Sequence, residues 1–270
     1  MKHAIAYILP FVVLITGCEL YSYPEYKLAP LPANISKQYL QNSSAYLEIT
    51  TAEESVIEQT LSQNNQLEHK LMTFPREKLR VLMVYDLAKN TQSINISSLQ
   101  NAYELTRSLS TYSKKGQIFP FQINGYYNSV YTSIREEIIT SIKQGAIVQI
   151  NAIGSATAYS TLLAIELRML QVPVESVVNF GSTRFASAAS HADIAQQLEG
   201  IMINVTHEND INHQMYMGVL PNEYALCSTK NCHETIREQK YFSKGEIRRH
   251  ISSFPLQYIE LYRNSLNNNS

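Results

Sequence analysis

The chain has 270 residues and a formal net charge of -1, with 44% hydrophobic and 17% charged residues. This length can bury one substantial core, and the composition is ordinary for a globular domain. There is no excess of basic residues that would favour nucleic-acid binding, and no acidic tail for a cationic partner. The composition therefore predicts a folded domain and gives no indication of nucleic acid as a partner.

The first 17 residues are predicted to be a signal peptide rather than part of the fold. Lys2 gives a positive start, and the apolar run Ala4–Thr16 is too short to anchor the chain as a spanning helix. The run ends in Ile-Thr-Gly-Cys at residues 15–18, which resembles the bacterial lipobox, where the cysteine is acylated and the chain is cut before it. Acyl chains on Cys18 would hold the protein at a membrane. Because Glu19 stands where Asp commonly retains lipoproteins in the inner membrane, the expected place is the outer membrane, facing the periplasm; the alternative is an ordinary secretory signal with a chance cysteine.

Two cysteines, Cys227 and Cys232, are left when Cys18 is set apart. An even number of cysteines in an exported chain favours a disulfide, which here would close a small loop. Because His233 is near, a metal site is the alternative, but no second pair of ligands stands at metal spacing. We therefore expect a disulfide between Cys227 and Cys232, and neither a metal nor another cofactor.

The rest of the chain predicts a tether and then one α/β domain. Residues 18–45 contain three prolines and have no sustained period, which indicates a lipidated tether before a domain over residues 46–270. Short apolar runs then alternate with helical periods, which predicts a mainly parallel sheet with helices on both faces. Strands are expected at 79–85, 146–150, 177–180 and 201–205, helices at 52–72, 97–112, 130–143, 158–170, 188–198 and 247–266, and a loop at 221–243.

The segment from Gly145 to Gln171 is the stretch around which the sequence is organised. Ala146–Ile150 is predicted to be a buried parallel strand, and residues from Ala158 onward follow helical spacing. The six residues Ala152–Thr157 between them leave room only for a sharp strand-to-helix turn. Such a turn presents its apex side chain and backbone N–H groups at the carboxyl end of a sheet, which is the geometry of a nucleophile elbow.

Four segments resemble motifs of the class three (fungal-type) lipase family, in the family's order. Asn124–Tyr131 is similar to His-x-Gly-Phe, Ala152–Leu163 to Gly-His-Ser-Leu-Gly-Gly-Ala-Leu-Ala, Phe180–Arg184 to Phe-Gly-Ser-Pro-Arg, and Val205–Ile211 to the segment with the catalytic Asp. The resemblance covers residues 79–258. It implies an α/β-hydrolase fold and an activity on acylglycerols or phospholipids. In this family a Ser at the elbow attacks the ester, a His takes its proton and an Asp orients the His.

When the segment is aligned without gaps to the family's elbow motif, the position of the nucleophilic serine is occupied by Gly154. Ser155 is one residue after that position. The strained turn needs small residues two positions before and after its apex. Around Gly154 both are alanines, whereas around Ser155 they would be the β-branched Ile153 and Thr157. The nucleophile is therefore expected to be lost. The alternative is a local backbone adjustment that lets Ser155 reach the cleft; otherwise Ser155 would satisfy an N–H group at the helix N-terminus.

Other positions of the expected site are partly kept. Asp210 and His250 follow the elbow in the α/β-hydrolase order and are the candidate acid and base, a turn residue and a surface histidine being the alternatives. Asn124 stands where the family has His. Asp86 falls where the resemblance places the oxyanion residues, and there its carboxylate would repel a developing oxyanion. The alternative is that Asp86 is a solvated turn residue.

Three hypotheses on function follow from these residues. The first is a membrane-tethered pseudoenzyme whose cleft binds a lipid, an acyl ester or a protein partner in the envelope. The second is an active lipid-ester hydrolase that uses Ser155, Asp210 and His250. The third is a purely structural envelope lipoprotein. Because the expected apex is Gly154, the pseudoenzyme is favoured and the hydrolase is the alternative.

Overall fold

A computed structural model describes residues 30–98, 113–115, 118–207, 222–226 and 256–268. The strands within these ranges are β1 (Leu67–Phe74), β2 (Leu79–Asp86), β3 (Thr91–Ser98), β4 (Ser113–Lys115), β5 (Gln122–Asn124), β6 (Ile147–Ile153), β7 (Val174–Phe180), β8 (Met202–His207) and β9 (Glu223–Leu226). The helices are α1 (Lys37–Thr51), α2 (Glu54–Leu61), α3 (Gly125–Thr140), α4 (Thr157–Met169), α5 (Ala188–Gln197) and α6 (Leu256–Asn268), and a 3₁₀ turn, Gly154–Ala156, precedes α4. None of these helices is long and apolar enough to cross a membrane.

Within the described residues, seven strands form one mixed sheet in the order β1-β2-β3-β6-β7-β8-β9, and β4 pairs with β5 separately. The first three strands are antiparallel, and from β3 to β9 all neighbours are parallel. The five parallel strands therefore share a carboxyl end and an amino end, the names used below for the two ends of the sheet. The predicted fold class, a mainly parallel α/β sheet with helices on both faces, is confirmed.

Apolar clusters hold helices against both faces of this sheet. α3 and α4 pack on one face, where Ile96, Ile150 and Val177 belong to the largest cluster. α1 and α6 pack on the other face, against a cluster that includes Val178 and Phe180. All strands predicted from the sequence are present with shifted bounds, because short apolar runs enriched in β-branched residues are typical of buried strands.

A buried ion pair joins α3 to α4. The carboxylate of Glu166, whose residue is 3% exposed, accepts hydrogen bonds from both Nε and Nη2 of Arg135. The Tyr131 hydroxyl donates to the same carboxylate at 2.5 Å. Because each Glu166 oxygen is bonded, the charge is compensated inside the helix layer.

The single helix predicted over residues 52–72 is wrong. α2 ends at Leu61, and β1 begins at Leu67 and pairs with β2 over its whole length. Leu67 and Leu71 are four residues apart, a spacing that fits one face of a helix and also one face of a strand. The alternating burial along β1 identifies the strand.

Part of the predicted tether also belongs to the domain. Residues 37–45 form the first part of α1, and the Ser36 hydroxyl caps this helix by accepting from the Tyr39 N–H at 3.1 Å. Leu40 and Leu47 are fully buried against the sheet. The domain therefore begins before residue 46, because two leucines in a polar background are enough to dock this helix.

Candidate functional site

The turn between β6 and α4 joins a buried strand to a buried helix without an intervening loop. β6 ends at Ile153, residues 154–156 make one 3₁₀ turn, and α4 begins at Thr157. Ile153 is extended, with φ of -136°, whereas Gly154 has φ of +63°. A positive φ is strained for a residue with a side chain and free of strain for glycine. The predicted strand–turn–helix geometry is present, and the reversal in backbone direction falls at Gly154.

Thr157 fixes this turn to the neighbouring loop. Its hydroxyl donates to the Gly154 carbonyl at 2.7 Å and accepts from the Thr183 N–H at 3.0 Å. Thr183 belongs to the loop that follows β7, so one buried hydroxyl connects the ends of two adjacent strands. The β-branched residue at the start of α4 therefore stabilises the turn.

The carboxyl ends of β3 and β7 flank the elbow, and β8 ends beside β7. The strand register places Ser97 beside Ile153, and Phe180 beside both Ile153 and Val205. Sequence reasoning missed β3, because Thr91–Ser98 contains only two strongly apolar residues. The strict alternation of its isoleucines with polar residues was the signal that could have found it.

Solved structures of fungal lipases superpose on this arrangement. A lipase from Rhizopus microsporus var. chinensis matches with a TM-score of 0.58 at 13% identity, covering 84% of this chain and 93% of the lipase. A triacylglyceride lipase from Rhizomucor miehei gives 0.56 at 11% identity, with 83% and 94% covered, and a lipase from Yarrowia lipolytica gives 0.55 at 12%, with 74% and 82% covered. The chain has the α/β-hydrolase fold of the fungal lipases. No protein-family model matches the sequence, and no curated protein does.

Ser155 follows the reversal of this lipase-like elbow and lies inside the 3₁₀ turn. It is 9% exposed, and it is not among the residues with positive φ. Its neighbours Gly154 and Ala156 are buried as well. The positive φ therefore falls on Gly154, one residue before Ser155.

Asp86 lies at the opposite end of the sheet from the elbow. It pairs with Thr91, which pairs with Ile147 at the start of β6, so the length of β6 separates it from the elbow, about 20 Å. Its carboxylate accepts from the N–H groups of Ala88 and Lys89 in the turn before β3. The oxyanion placement is therefore wrong, and the turn-residue alternative is confirmed. On the side of the sheet that holds β1 and β2, the strand that ends beside the elbow is β3, and residues 99–112 after it lie outside the described ranges.

Asn124, which stands where the family has His, has a structural position. Its side-chain oxygen accepts from the Tyr126 N–H at 3.0 Å and caps α3. Its own N–H donates to the Phe185 carbonyl at 2.7 Å, near the β7–α5 connection. The residue thereby fixes the start of the helix that packs on α4.

The other predicted site residues lie outside the described residues. β8, the strand predicted before Asp210, ends at His207, so Asp210 follows three residues beyond it. His250, Cys227 and Cys232 fall in the range 227–255, and Cys18 precedes residue 30. The roles of acid, base, disulfide and lipid attachment therefore stay predictions.

A buried hydrogen-bond network next to the elbow holds the first turns of α4 against β7 and β8. Asn179 on β7, 1% exposed, accepts from Ser160 at 2.5 Å and donates to Thr161 at 3.1 Å and to Asn204 at 3.2 Å. Ser160 and Thr161 belong to the first turns of α4, and Asn204 belongs to β8. The network therefore fixes the elbow helix to two strands, a function that the sequence did not predict.

His191 on α5 lies beside this network. Its ring packs edge-to-face on Phe185, with the ring centroids 5.1 Å apart. Burial, with a smaller contribution from the positive charge of Arg184, lowers the pKa of His191 to about 3. The imidazole is therefore neutral at physiological pH, and its place below the elbow indicates a packing role.

Proposed function

We propose that this protein is a membrane-anchored, lipase-like lipoprotein that binds a lipid, an acyl ester or an envelope protein at its elbow without hydrolysing esters. The observation that carries the proposal is Gly154, which has φ of +63° at the strand-to-helix reversal. In an α/β-hydrolase the nucleophile occupies this strained position, so that its side chain projects above the sheet. Glycine has no side chain that could attack an ester.

The environment of Ser155 supports the same conclusion. In the elbow geometry, the residue after the apex contributes its backbone N–H group to the oxyanion hole, not its side chain. For Ser155 to become the apex, the backbone reversal would have to move by one residue. The Thr157 hydroxyl opposes that shift, because it bonds the Gly154 carbonyl and the Thr183 N–H together.

The membrane anchor is proposed from the sequence. The apolar run that ends in Ile-Thr-Gly-Cys at residues 15–18 supports acylation of Cys18, and Glu19 supports the periplasmic side of the outer membrane. A cleft with a lipase fold but no nucleophile suits retention of an acyl-bearing ligand or capture of a protein partner.

A fluorophosphonate probe for activated serines tests the elbow directly. We expect no labelling of the folded wild-type protein, because the apex carries no hydroxyl. Gly154→Ser should be labelled, since it puts a hydroxyl at the reversal, and the matched Gly154→Ala variant should not. Adding His250→Ala to Gly154→Ser should abolish the label if His250 is the base. A folded Gly154→Ser protein that stays unlabelled would leave the non-hydrolytic function in place and remove His250 as the base.

An active lipid-ester hydrolase is the second candidate function. The fungal-lipase fold and the position of Ser155 beside the reversal favour it. This candidate requires labelling of the wild-type protein that disappears in both Ser155→Ala and His250→Ala. That result would replace the pseudoenzyme proposal.

A further inference from the structure

Exposed apolar side chains gather at the amino end of the sheet. In the described part of the chain, five large hydrophobic residues are exposed, with 38% to 57% of their surface accessible. Four of them lie at this end: Leu87 in the β2–β3 turn, Ile147 at the start of β6, and Met169 and Leu170 at the end of α4. The fifth, Val56, is on α2. We call the four residues the amino-end patch.

Backbone hydrogen bonds hold the segments of the amino-end patch together. The Ile147 N–H donates at 3.0 Å to the Asn90 carbonyl, three residues after Leu87. The Val148 N–H donates at 2.8 Å to the Pro173 carbonyl, three residues after Leu170. The start of β6 therefore connects the β2–β3 turn to the end of α4.

The first described residues of the chain also contact this end of the sheet. The Asn34 side chain donates to the carbonyl of Glu175, the second residue of β7, at 3.1 Å. The Tyr39 and Ser176 hydroxyls are 2.6 Å apart, one residue further along β7. Asn34 follows Cys18 by 16 positions in the chain. That length spans at most about 55 Å when extended and about 22 Å as a flexible coil.

We propose that the amino-end patch contacts the lipid bilayer to which Cys18 anchors the chain, so that the elbow faces away from that bilayer. The inference rests on the lipid anchor of the proposed function. The short connection from Cys18 ends at the same end of the sheet as the patch and gives it a high effective concentration at the lipid surface. A small apolar contact, too weak to hold a free domain on a membrane, is then sufficient.

The charges around the patch favour apolar contact over attraction to anionic lipid. Lys89 pairs with Asp86 at 3.1 Å, and Lys143 pairs with Glu68 at 2.7 Å. These four charges sum to zero, and the exposed Arg168 beside Met169 is matched in number by the exposed Glu175 on β7, so the surroundings carry no net basic charge. Contact with the bilayer should therefore persist at high salt.

This orientation defines how a ligand reaches the elbow. The carboxyl end of the sheet, where Gly154 lies, points toward the aqueous compartment and not toward the anchoring leaflet. A lipid or acyl-bearing ligand therefore arrives from the aqueous side, either carried by another molecule or as part of a protein partner.

Tryptophan quenching tests the orientation, because the chain contains no Trp. Full-length, lipidated protein would be placed in vesicles of phosphatidylethanolamine and phosphatidylglycerol with brominated acyl chains. Met169→Trp reports on the patch, and Arg76→Trp, in the β1–β2 turn at the carboxyl end, is the matched control on another exposed position. We expect bromine to quench Met169→Trp at least twofold, with little change in Arg76→Trp, both before and after salt is raised.

Stronger quenching of Arg76→Trp than of Met169→Trp would overturn the proposal, because the elbow end would then contact the bilayer. Equal and weak quenching of both, repeated with Leu170→Trp, would also overturn it, since the domain would stand clear of the lipid. Mass spectrometry of Cys18 separates these results from failure of the anchor. A protein without acyl chains would end this inference and the anchor together, while the fluorophosphonate result at the elbow would stand independently.

Discussion

The two faces of the sheet hold buried polar side chains in different ways. On the elbow face, the carbonyl oxygen of the Asn179 side chain accepts from α4, and its NH2 group donates to α4 and β8. On the face covered by α1, Asn151 donates to Ser93 at 3.2 Å and to Asn95 at 2.9 Å. Its carbonyl oxygen and the Ser97 hydroxyl have no hydrogen-bond partner in the described part of the chain. A fully bonded buried network makes a region rigid, whereas a buried polar group without a partner costs free energy of folding.

The helices on the two faces show the same contrast. α4 buries every residue from Thr157 to Leu167, whereas α1 buries one stripe of five residues that includes Ser43 and Ser44. The elbow face therefore combines dense apolar packing with the bonded Asn179 network, and the buried Thr206 hydroxyl is its exception, without a partner in the described residues. On the other face, α1 packs over β3 and β6, which carry buried polar side chains. Single substitutions on each face can therefore measure how much each contributes to stability.

The largest effect is expected on the elbow face, at Glu166. Glu166→Ala leaves the Arg135 guanidinium and the Tyr131 hydroxyl without their shared acceptor, and such a change typically costs about 3–5 kcal/mol of unfolding free energy. Because the Arg135 side chain is 32% exposed, we expect the lower end of that range. Urea unfolding followed by circular dichroism measures the loss.

Glu166→Gln is the matched control for this prediction, because it keeps the shape and one acceptor oxygen, while it removes the charge and turns the other oxygen into an NH2 donor. It should cost less than Glu166→Ala. A loss below about 1 kcal/mol in Glu166→Ala would mean that the pair contributes no more than a surface ion pair, and the contrast between the faces would be reduced to packing.

The next effect tests whether α1 belongs to the domain. Leu40→Ala should destabilise the protein by about 2–4 kcal/mol, because it leaves a cavity in place of a fully buried side chain. Gln38→Ala, on the exposed side of the same helix, should change the unfolding free energy by less than about 0.5 kcal/mol. If both variants unfold like the wild type, residues 37–45 behave as the tether that the sequence suggested.

The sequence predicted the elements of the elbow face because their burial is apolar and continuous. β6, α4 and β7 could be read from runs of apolar residues, and Gly154 from the small residues around it. α1 and β3 could not, because Ser43, Ser44 and Asn95 are buried although their residue types favour solvent.

The position of Asp86 shows a different limit. The order of strands in the sheet decides which strand ends beside the elbow, and that order is set by long-range pairing. Because β1, β2 and β3 form an antiparallel meander, the neighbour of β6 is β3, and Asp86 is turned to the far end. No local pattern in the sequence around Asp86 contains this information.

The smallest effect compares the two asparagines directly. Asn179→Ala removes three buried hydrogen bonds, at a cost of about 2 kcal/mol; the Ser160 and Thr161 hydroxyls still donate to the Thr157 carbonyl, so neither is left wholly unbonded. Asn151→Ala should cost about 1 kcal/mol less, because it also removes a buried carbonyl oxygen that has no partner. In the Gly154→Ser background, Asn179→Ala should also slow fluorophosphonate labelling, since its network fixes the elbow helix, while Asn151→Ala should leave the labelling rate unchanged. Equal losses of stability and equal labelling rates would mean that the polar groups below the elbow only fill space, and that Thr157 alone holds the reversal at Gly154.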